Sequence, residues 1–84
     1  MKITDIEILK ENKLPRLLAK VNIVIDNSFK INDISLNQSE KGMYIVMPSK
    51  RKANGNFMDV AHPINQETRQ YIQNEIIKKY MEEN

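Results

Sequence analysis

The chain has 84 residues, a net charge of +2 and no cysteine, so it is long enough for one small domain only. It has neither cysteines nor a cluster of histidine and acidic residues at ligand spacing, which excludes disulfides and structural zinc as supports. The charged N-terminal residues and the short apolar runs predict neither a signal peptide nor a membrane span, and therefore a soluble, cytoplasmic protein with no membrane partner.

Two strands are predicted in the first 25 residues. The segment from Ile3 to Leu9 is rich in β-branched residues and predicts the first strand. Residues 17–25 alternate in polarity, with the odd-numbered positions more apolar, and predict the second. Leu18 and Val24 interrupt the polar face, so we expect a central strand that is partly covered on both sides. The polar connection from Lys10 to Pro15 separates the two strands.

Two more strands are predicted before residue 48. The dipeptide Asp26-Asn27 tolerates left-handed backbone and predicts a tight hairpin into a third strand. The apolar residues of that strand change from odd to even positions: Phe29 and Ile31, then Ile34 and Leu36. A β-bulge near Asn32-Asp33 would place all four on one face. A polar connection, Asn37 to Gly42, then leads to a fourth strand, Met43 to Met47, which completes an antiparallel meander.

A helical period replaces the strand pattern after Pro63. The predicted apolar stripe consists of Ile72, Ile76 and Tyr80, joined by Ile77 and Met81. The residues predicted to face away are Gln73, Asn74, Lys78 and Lys79. Asn65 is a good N-cap, and the helix is expected over about residues 66–82. The whole chain, 1–84, is thus predicted to be one α+β domain with strands within 2–48, a basic loop and turns at 49–64, and this helix.

Catalysis is not predicted. His62 is the only imidazole, and the chain has no cysteine nucleophile, no glycine-rich phosphate loop and no nucleophile elbow. We expect His62, which precedes a proline, to hydrogen-bond local backbone, the alternative being a nucleic-acid or regulatory contact. Asp59 is expected to pair with a cation or to cap a turn rather than act as a general acid. The prediction is a protein that is not an enzyme and uses no cofactor or metal.

The positive charge is concentrated in residues 41–71, which hold five cations against two anions, a net charge of +3. Lys50, Arg51 and Lys52 are consecutive and are followed by the turn dipeptide Asn54-Gly55. Arg69 falls in the first turn of the predicted helix. The run can be a solvated loop that only keeps the domain soluble. It can also bind phosphates, because exposed cations on a turn can follow a polyanionic backbone. If the loop and the helix start are adjacent, the four cations form one patch.

The aromatic residues are expected to be mainly structural. Phe29, Tyr44 and Tyr80 fall on apolar faces and are predicted to lie in the core. Phe57, beside the basic run, is the one ring considered for base stacking.

The stretch from Met47 to Asn65 and the first turn of the helix after it contain a distinctive block of residues: Met47, Pro48, Ser49, Lys50, Arg51, Gly55, Phe57, Asp59, Val60, Ala61, His62, Pro63, Ile64, Asn65, Thr68 and Arg69. This block resembles that of the SpoVG family, the stage V sporulation or septation proteins G. Two positions depart from the usual pattern: Lys52 stands where members often have Thr, and Met58 where many have Lys or Arg.

The resemblance implies this four-stranded α+β architecture, a homodimer, and a bacterial regulator of sporulation and division-septum formation that binds DNA or RNA. It makes Lys50, Arg51 and Lys52 the expected nucleic-acid contacts. Arg69 is expected to join them, because the free backbone N–H groups of the first helical turn also favour anions. Dimerisation is also expected for a reason independent of the resemblance, since a small sheet with open edges leaves strand edges that a second copy can cover. The alternative is a protein–protein adaptor in the septation or transcription machinery, without direct nucleic-acid contact.

Overall fold

The computed structural model describes residues 1–11 and 14–83 and confirms the α+β fold. Its elements, in chain order, are β1 (Ile3–Lys10), β2 (Leu17–Ile25), β3 (Phe29–Ser39), β4 (Gly42–Val46), β5 (Ser49–Arg51), β6 (Phe57–Asp59) and α1 (Gln66–Glu82). The first four strands form one antiparallel sheet in the order β1-β2-β3-β4, and β5 and β6 form a separate hairpin. The predicted connection from Lys10 to Pro15 lies in part outside the described residues.

Strand β2 is central, as predicted, because it pairs with β1 on one side and β3 on the other. Its residues Ala19, Val21 and Ile23 are fully buried, whereas Leu18 and Val24 are only half-buried. The buried face packs with α1, whose Ile72 and Ile76 belong to the same core cluster. The helix therefore covers one face of the sheet.

The predicted bulge in β3 is confirmed at Asn32-Asp33. Two pairs of facing residues bracket it: Val21 with Ile34, and Ile23 with Ile31. Two residues of β3 thus lie opposite the single Asn22 of β2, which is the count of a β-bulge. Asp33 has φ 65°, and its backbone N–H donates to Oδ1 of Asn22 over 3.1 Å. The side chain of Asn22 thereby satisfies a backbone donor that the irregular register leaves without a ladder partner.

The turns between the long strands differ in how well they were predicted. Asp26 and Asn27 have φ 51° and 53°, which confirms the left-handed hairpin. The connection predicted over Asn37 to Gly42 is much shorter, because β3 continues to Ser39 and only Glu40 and Lys41 separate the strands. Residues 37–39 are polar and yet belong to the ladder, since their pairing with β4 uses backbone groups and does not require apolar side chains.

The core is small and apolar. Its fully or nearly fully buried residues are Ala19, Val21, Ile23, Ile34, Leu36, Ile45, Met47, Ile72 and Ile76. No polar or charged side chain among residues 1–11 and 14–83 is buried. A core of this size is what an 84-residue chain can assemble, and we expect a domain with so small a core to have modest stability.

Helix α1 spans Gln66–Glu82, as predicted. Asn65 caps it, because its Oδ1 accepts a hydrogen bond from the Thr68 N–H over 2.8 Å. The apolar stripe is confirmed at Ile72 and Ile76, but Met81 is 56% exposed in the last turn. Its assignment to the stripe is wrong because, at about 100° per residue, Met81 is rotated by about 180° from Ile72 and so lies on the opposite side of the helix.

Side chains of α1 also bind backbone groups of both edge strands. The Ile3 N–H of β1 donates to the Tyr71 hydroxyl over 3.0 Å. The Ile45 N–H of β4 donates to Oε1 of Gln73 over 3.3 Å. Gln73 therefore does not face away from the sheet, as its polarity had suggested. An edge strand leaves backbone donors without a ladder partner, and an amide side chain can satisfy one of them.

Two of the three aromatic residues predicted for the core are placed differently. Phe29 is 62% exposed, although its partner Ile25 puts it on the apolar face. It lies at the end of β3 beyond the pairing with β4, which involves only residues 35–39, so no neighbouring strand covers it. Tyr44 is half-buried opposite Asn37, outside the core cluster. Tyr80 is partly buried and packs against the core, as predicted.

Candidate nucleic-acid interface

The basic run lies on the β5–β6 hairpin, where the sequence had predicted a loop. Three cross-strand pairs hold the hairpin: Ser49 with Asp59, Lys50 with Met58, and Arg51 with Phe57. The turn is closed by the Lys52 N–H donating to the Asn56 carbonyl over 2.6 Å and the Gly55 N–H donating to the Lys52 carbonyl over 3.0 Å. Strands of three residues show no readable alternation, which is why the sequence pattern did not predict them.

Asn54-Gly55, identified from sequence as a turn signal, forms the tip of this hairpin. Gly55 has φ 90°, a conformation that side-chain-bearing residues rarely adopt. Oδ1 of Asn54 accepts a hydrogen bond from the Asn56 N–H over 3.0 Å. At the other end, the Val60 N–H donates to the Pro48 carbonyl over 2.7 Å. Both ends of the hairpin are therefore held by local hydrogen bonds, although every residue from 49 to 60 is exposed.

The three cations are exposed to solvent. Lys50 and Arg51 belong to β5, and Lys52 follows directly. No hydrogen bond or ion pair joins their side chains to any residue that the structure describes. Successive side chains of a strand point to opposite faces, so Lys50 and Arg51 present their charge on two sides of the hairpin. The structure thus keeps these three predicted contact residues together and leaves their donors available to a ligand.

Arg69 has a contact of its own, away from the hairpin strands. It is half-buried on α1, and its Nη2 donates to the Ile45 carbonyl of β4 over 2.9 Å. Gln73, one helical turn later, accepts from the N–H of the same Ile45. Because the N–H and C=O of one strand residue point to the same side, this pair of side chains satisfies both groups of Ile45 on the open edge of β4. Arg69 therefore helps to hold the helix on the sheet.

The two other polar residues singled out by sequence have simple placements. Nδ1 of His62 lies 3.0 Å from the carbonyl oxygen of Pro63, which confirms the expected bond to local backbone. Asp59 is exposed in β6, opposite Ser49. Within the described chain its carboxylate makes neither an ion pair nor a hydrogen bond, so the predicted partner cation or capped turn is not found.

An open groove of about 720 Å³ runs beside the hairpin and was not predicted from sequence. On one side lies the first half of β3, whose outer edge has no strand partner in the described chain. Apolar and basic residues line the groove, among them Phe29, Lys30, Val46, Met47 and Val60. Phe29, Val46 and Val60 are exposed by 62%, 40% and 66%. Phe29 and Ile31, at alternate positions of β3, were a sequence signal for an apolar surface here. The alternation alone, however, assigned them to the core.

No group of three or more His, Cys, Asp or Glu side chains that could hold a metal ion occurs among the residues described. Over the same residues, the structure contains no helix with the length and apolarity needed to cross a membrane.

The sequence of this chain is similar to a known protein family and to named proteins of several bacteria. The SpoVG family model matches residues 1–82. A protein of Onion yellows phytoplasma (strain OY-M), named "Putative septation protein SpoVG", is 48% identical over 82 residues, covering 98% of this chain and 83% of the relative. Proteins with the same name from Agathobacter rectalis and Caldanaerobacter subterraneus are 47% and 41% identical, covering 99% and 95% of this chain and 95% and 88% of those relatives.

Proposed function

This chain belongs to the SpoVG family, and from that premise we propose that it is a bacterial regulator of sporulation and division-septum formation that acts as a dimer on DNA or RNA. The septation role is supported by the name that its relatives carry. The molecular mechanism is supported by the hairpin. Lys50, Arg51 and Lys52 would contact the phosphates, with Arg69 as a further predicted contact from the helix.

The observation that carries the proposal is the presentation of three consecutive cations with no partner among the described residues. Cations that pair with carboxylates within the protein have part of their charge neutralised before a ligand arrives. Those on the hairpin retain it, and a polyanion that binds them releases its condensed counterions, which is the main source of sequence-independent affinity for nucleic acid. The exposed backbone of the hairpin places the charges where a strand of nucleic acid can lie along them.

The alternative is a protein–protein adaptor in the septation or transcription machinery. The same three cations could dock onto an acidic surface of a partner protein, with no contact to nucleic acid. The exposed apolar residues beside them, Met58 and Val60, would suit such a protein surface. The two functions differ in what binds the isolated protein, and this difference can be measured.

We expect the protein to bind nucleic acid with an affinity that falls steeply as salt is added. The logarithm of the binding constant should fall linearly with the logarithm of the salt concentration, by about 0.9 for each phosphate contacted on duplex DNA. Three cations per protomer predict a slope of roughly −3 for one protomer. Fluorescence anisotropy with labelled duplex DNA, single-stranded DNA and RNA over a salt series measures it. No binding to any of the three at low salt would contradict the proposal and favour the adaptor.

The dimer is proposed to form across the groove beside β3. Its open strand edge and the exposed Phe29, Val46 and Val60 are the features that a second copy would cover. Sedimentation at micromolar concentration should therefore give roughly twice the 9.9 kDa of one chain. Phe29→Asp should weaken the dimer, whereas Leu14→Asp, at an equally exposed apolar residue outside the groove, should not. A compact, fully folded 9.9 kDa species of the unaltered chain would refute the dimer.

A further inference from the structure

Phe57 is a large aromatic residue on the hairpin that no neighbouring element covers. Its side chain is 68% exposed, and it is absent from the residues that pack against the core. It lies directly opposite Arg51 in the β5–β6 ladder, so both side chains project from the same face. We propose that this face binds single-stranded nucleic acid, with an unpaired base stacked on the Phe57 ring and the adjoining phosphate bound by Arg51.

The spacing of ring and charge suits such a ligand. Facing residues of an antiparallel pair have their Cβ atoms about 5 Å apart, so a base stacked on the Phe57 ring would bring an adjoining phosphate within reach of the long Arg51 side chain. The Arg51 guanidinium also reaches toward the tip, since Nη2 lies 4.0 Å from the place that a Cβ on Gly55 would occupy. Lys52 follows at the turn, where it can contact the next phosphate along the strand. An aromatic platform beside a basic track is the usual design of single-strand binding surfaces.

The ring gives a reason to prefer single strands over duplex. Within a duplex both faces of a base are covered by its neighbours, so Phe57 could reach one only after a base had been unstacked, at a cost of a few kcal/mol. An unpaired base offers its face at little cost, and every base has such a face, so the contact favours single strands without demanding a sequence. This inference rests on the proposed function, because it names the substrate class of the same hairpin.

The opposite face of the hairpin provides an internal comparison. Met58 is 55% exposed and is paired with Lys50. It is apolar and adjacent to a cation, like Phe57, but it has no ring. A contact that depends only on apolar surface should therefore use the two faces alike, whereas base stacking should use the face of Phe57 alone.

The test compares three ligands of about 15 nucleotides, a length within the range that small single-strand binding domains occupy: an oligothymidine, an abasic strand of equal charge, and a duplex. The unaltered protein should bind the oligothymidine more tightly than the abasic strand. Phe57→Leu should raise the Kd for the oligothymidine about 5- to 140-fold, the 1–3 kcal/mol of one stacked base converted at 1.4 kcal/mol per tenfold, and should leave the other two Kd values unchanged. Phe57→Tyr should retain the preference, and Met58→Ala should behave as the unaltered protein.

Phe57→Trp adds a direct readout, because the chain has no tryptophan of its own. Its fluorescence should be quenched by the oligothymidine and not by the abasic strand. Equal Kd values for the oligothymidine and the abasic strand, with Phe57→Leu unaltered, would overturn the stacking while leaving phosphate binding in place. Failure of all three ligands, and of the labelled RNA, to bind at low salt would instead overturn the proposed function itself. A Phe57→Leu protein that sediments as a smaller species would assign the ring to an interface between copies, and would also overturn the inference.

Discussion

Replacing Lys50, Arg51 and Lys52 together with alanine is expected to remove most of the affinity for nucleic acid and to leave the Tm nearly unchanged. The three side chains are exposed and make no ion pair or hydrogen bond to the described residues, so their removal deletes no folding contact. Exposed charges typically contribute less than about 1 kcal/mol to stability. If they bind phosphates, the salt dependence of binding should flatten by up to about three phosphate contacts per subunit.

A matched control tests whether the affinity for nucleic acid depends on the position of the three charges or only on their number. Lys2→Ala, Lys41→Ala and Lys78→Ala together lower the net charge by the same three units, at exposed residues outside the hairpin. This control should lose only the small affinity that general electrostatic attraction provides. Among single changes, Arg51→Ala should have the largest effect, because a guanidinium can bind a phosphate through two parallel hydrogen bonds. Unaltered binding by the hairpin variant would contradict phosphate binding and favour the adaptor. A large drop in Tm would contradict the exposed placement of the three side chains.

Ile76→Ala is expected to lower the free energy of unfolding by about 2–5 kcal/mol, the range of buried Leu and Ile truncations. Ile76 is fully buried, and it packs between the helix and the sheet with Ile23, Leu36 and Ile45 in the same cluster. A loss of this size is a large part of the stability of a domain with so small a core. Urea titration followed by circular dichroism should show a lower midpoint with an unchanged slope.

The comparison for this variant is Lys78→Ala, two residues further along the helix. Two residues correspond to about 200° of rotation, so Lys78 lies on the face opposite Ile76. It is exposed, and its replacement should change the free energy of unfolding by less than about 0.5 kcal/mol. Equal losses from the two changes would mean that the helix presents a different face to the sheet.

Local features of the fold were predictable because their causes lie within a few residues of one another. The left-handed turn at Asp26-Asn27 follows from side chains that tolerate positive φ. The bulge at Asn32-Asp33 follows from the change of parity between Ile31 and Ile34, since only an extra residue brings both to the buried face. The helix start follows from the cap by Asn65.

The misplaced residues share a different cause. Phe29 has an apolar side chain on an apolar face, and it is exposed because the pairing of β3 with β4 begins only at Ser35. Gln73 has a polar side chain that faces the sheet, because β4 is an edge strand whose Ile45 N–H needs an acceptor. None of these residues differs in its own local pattern from those that were placed correctly.

The features of the candidate site can also be divided into those with local causes and those that depend on the tertiary structure. From the sequence alone came the basic run of Lys50, Arg51 and Lys52, its turn at Asn54-Gly55, and the order of strands and helix, because charge, turn chemistry and periodicity are properties of neighbouring residues. Only the tertiary structure decided that the run forms a hairpin with Arg51 facing Phe57, and that Arg69 binds the edge of β4. The Arg69 contact joins two separate segments and is determined by the packing of the helix on the sheet. The pairing of Arg51 with Phe57 is determined by the backbone hydrogen bonds that set the register of the hairpin, and strands of three residues carry no sequence pattern from which that register could be predicted.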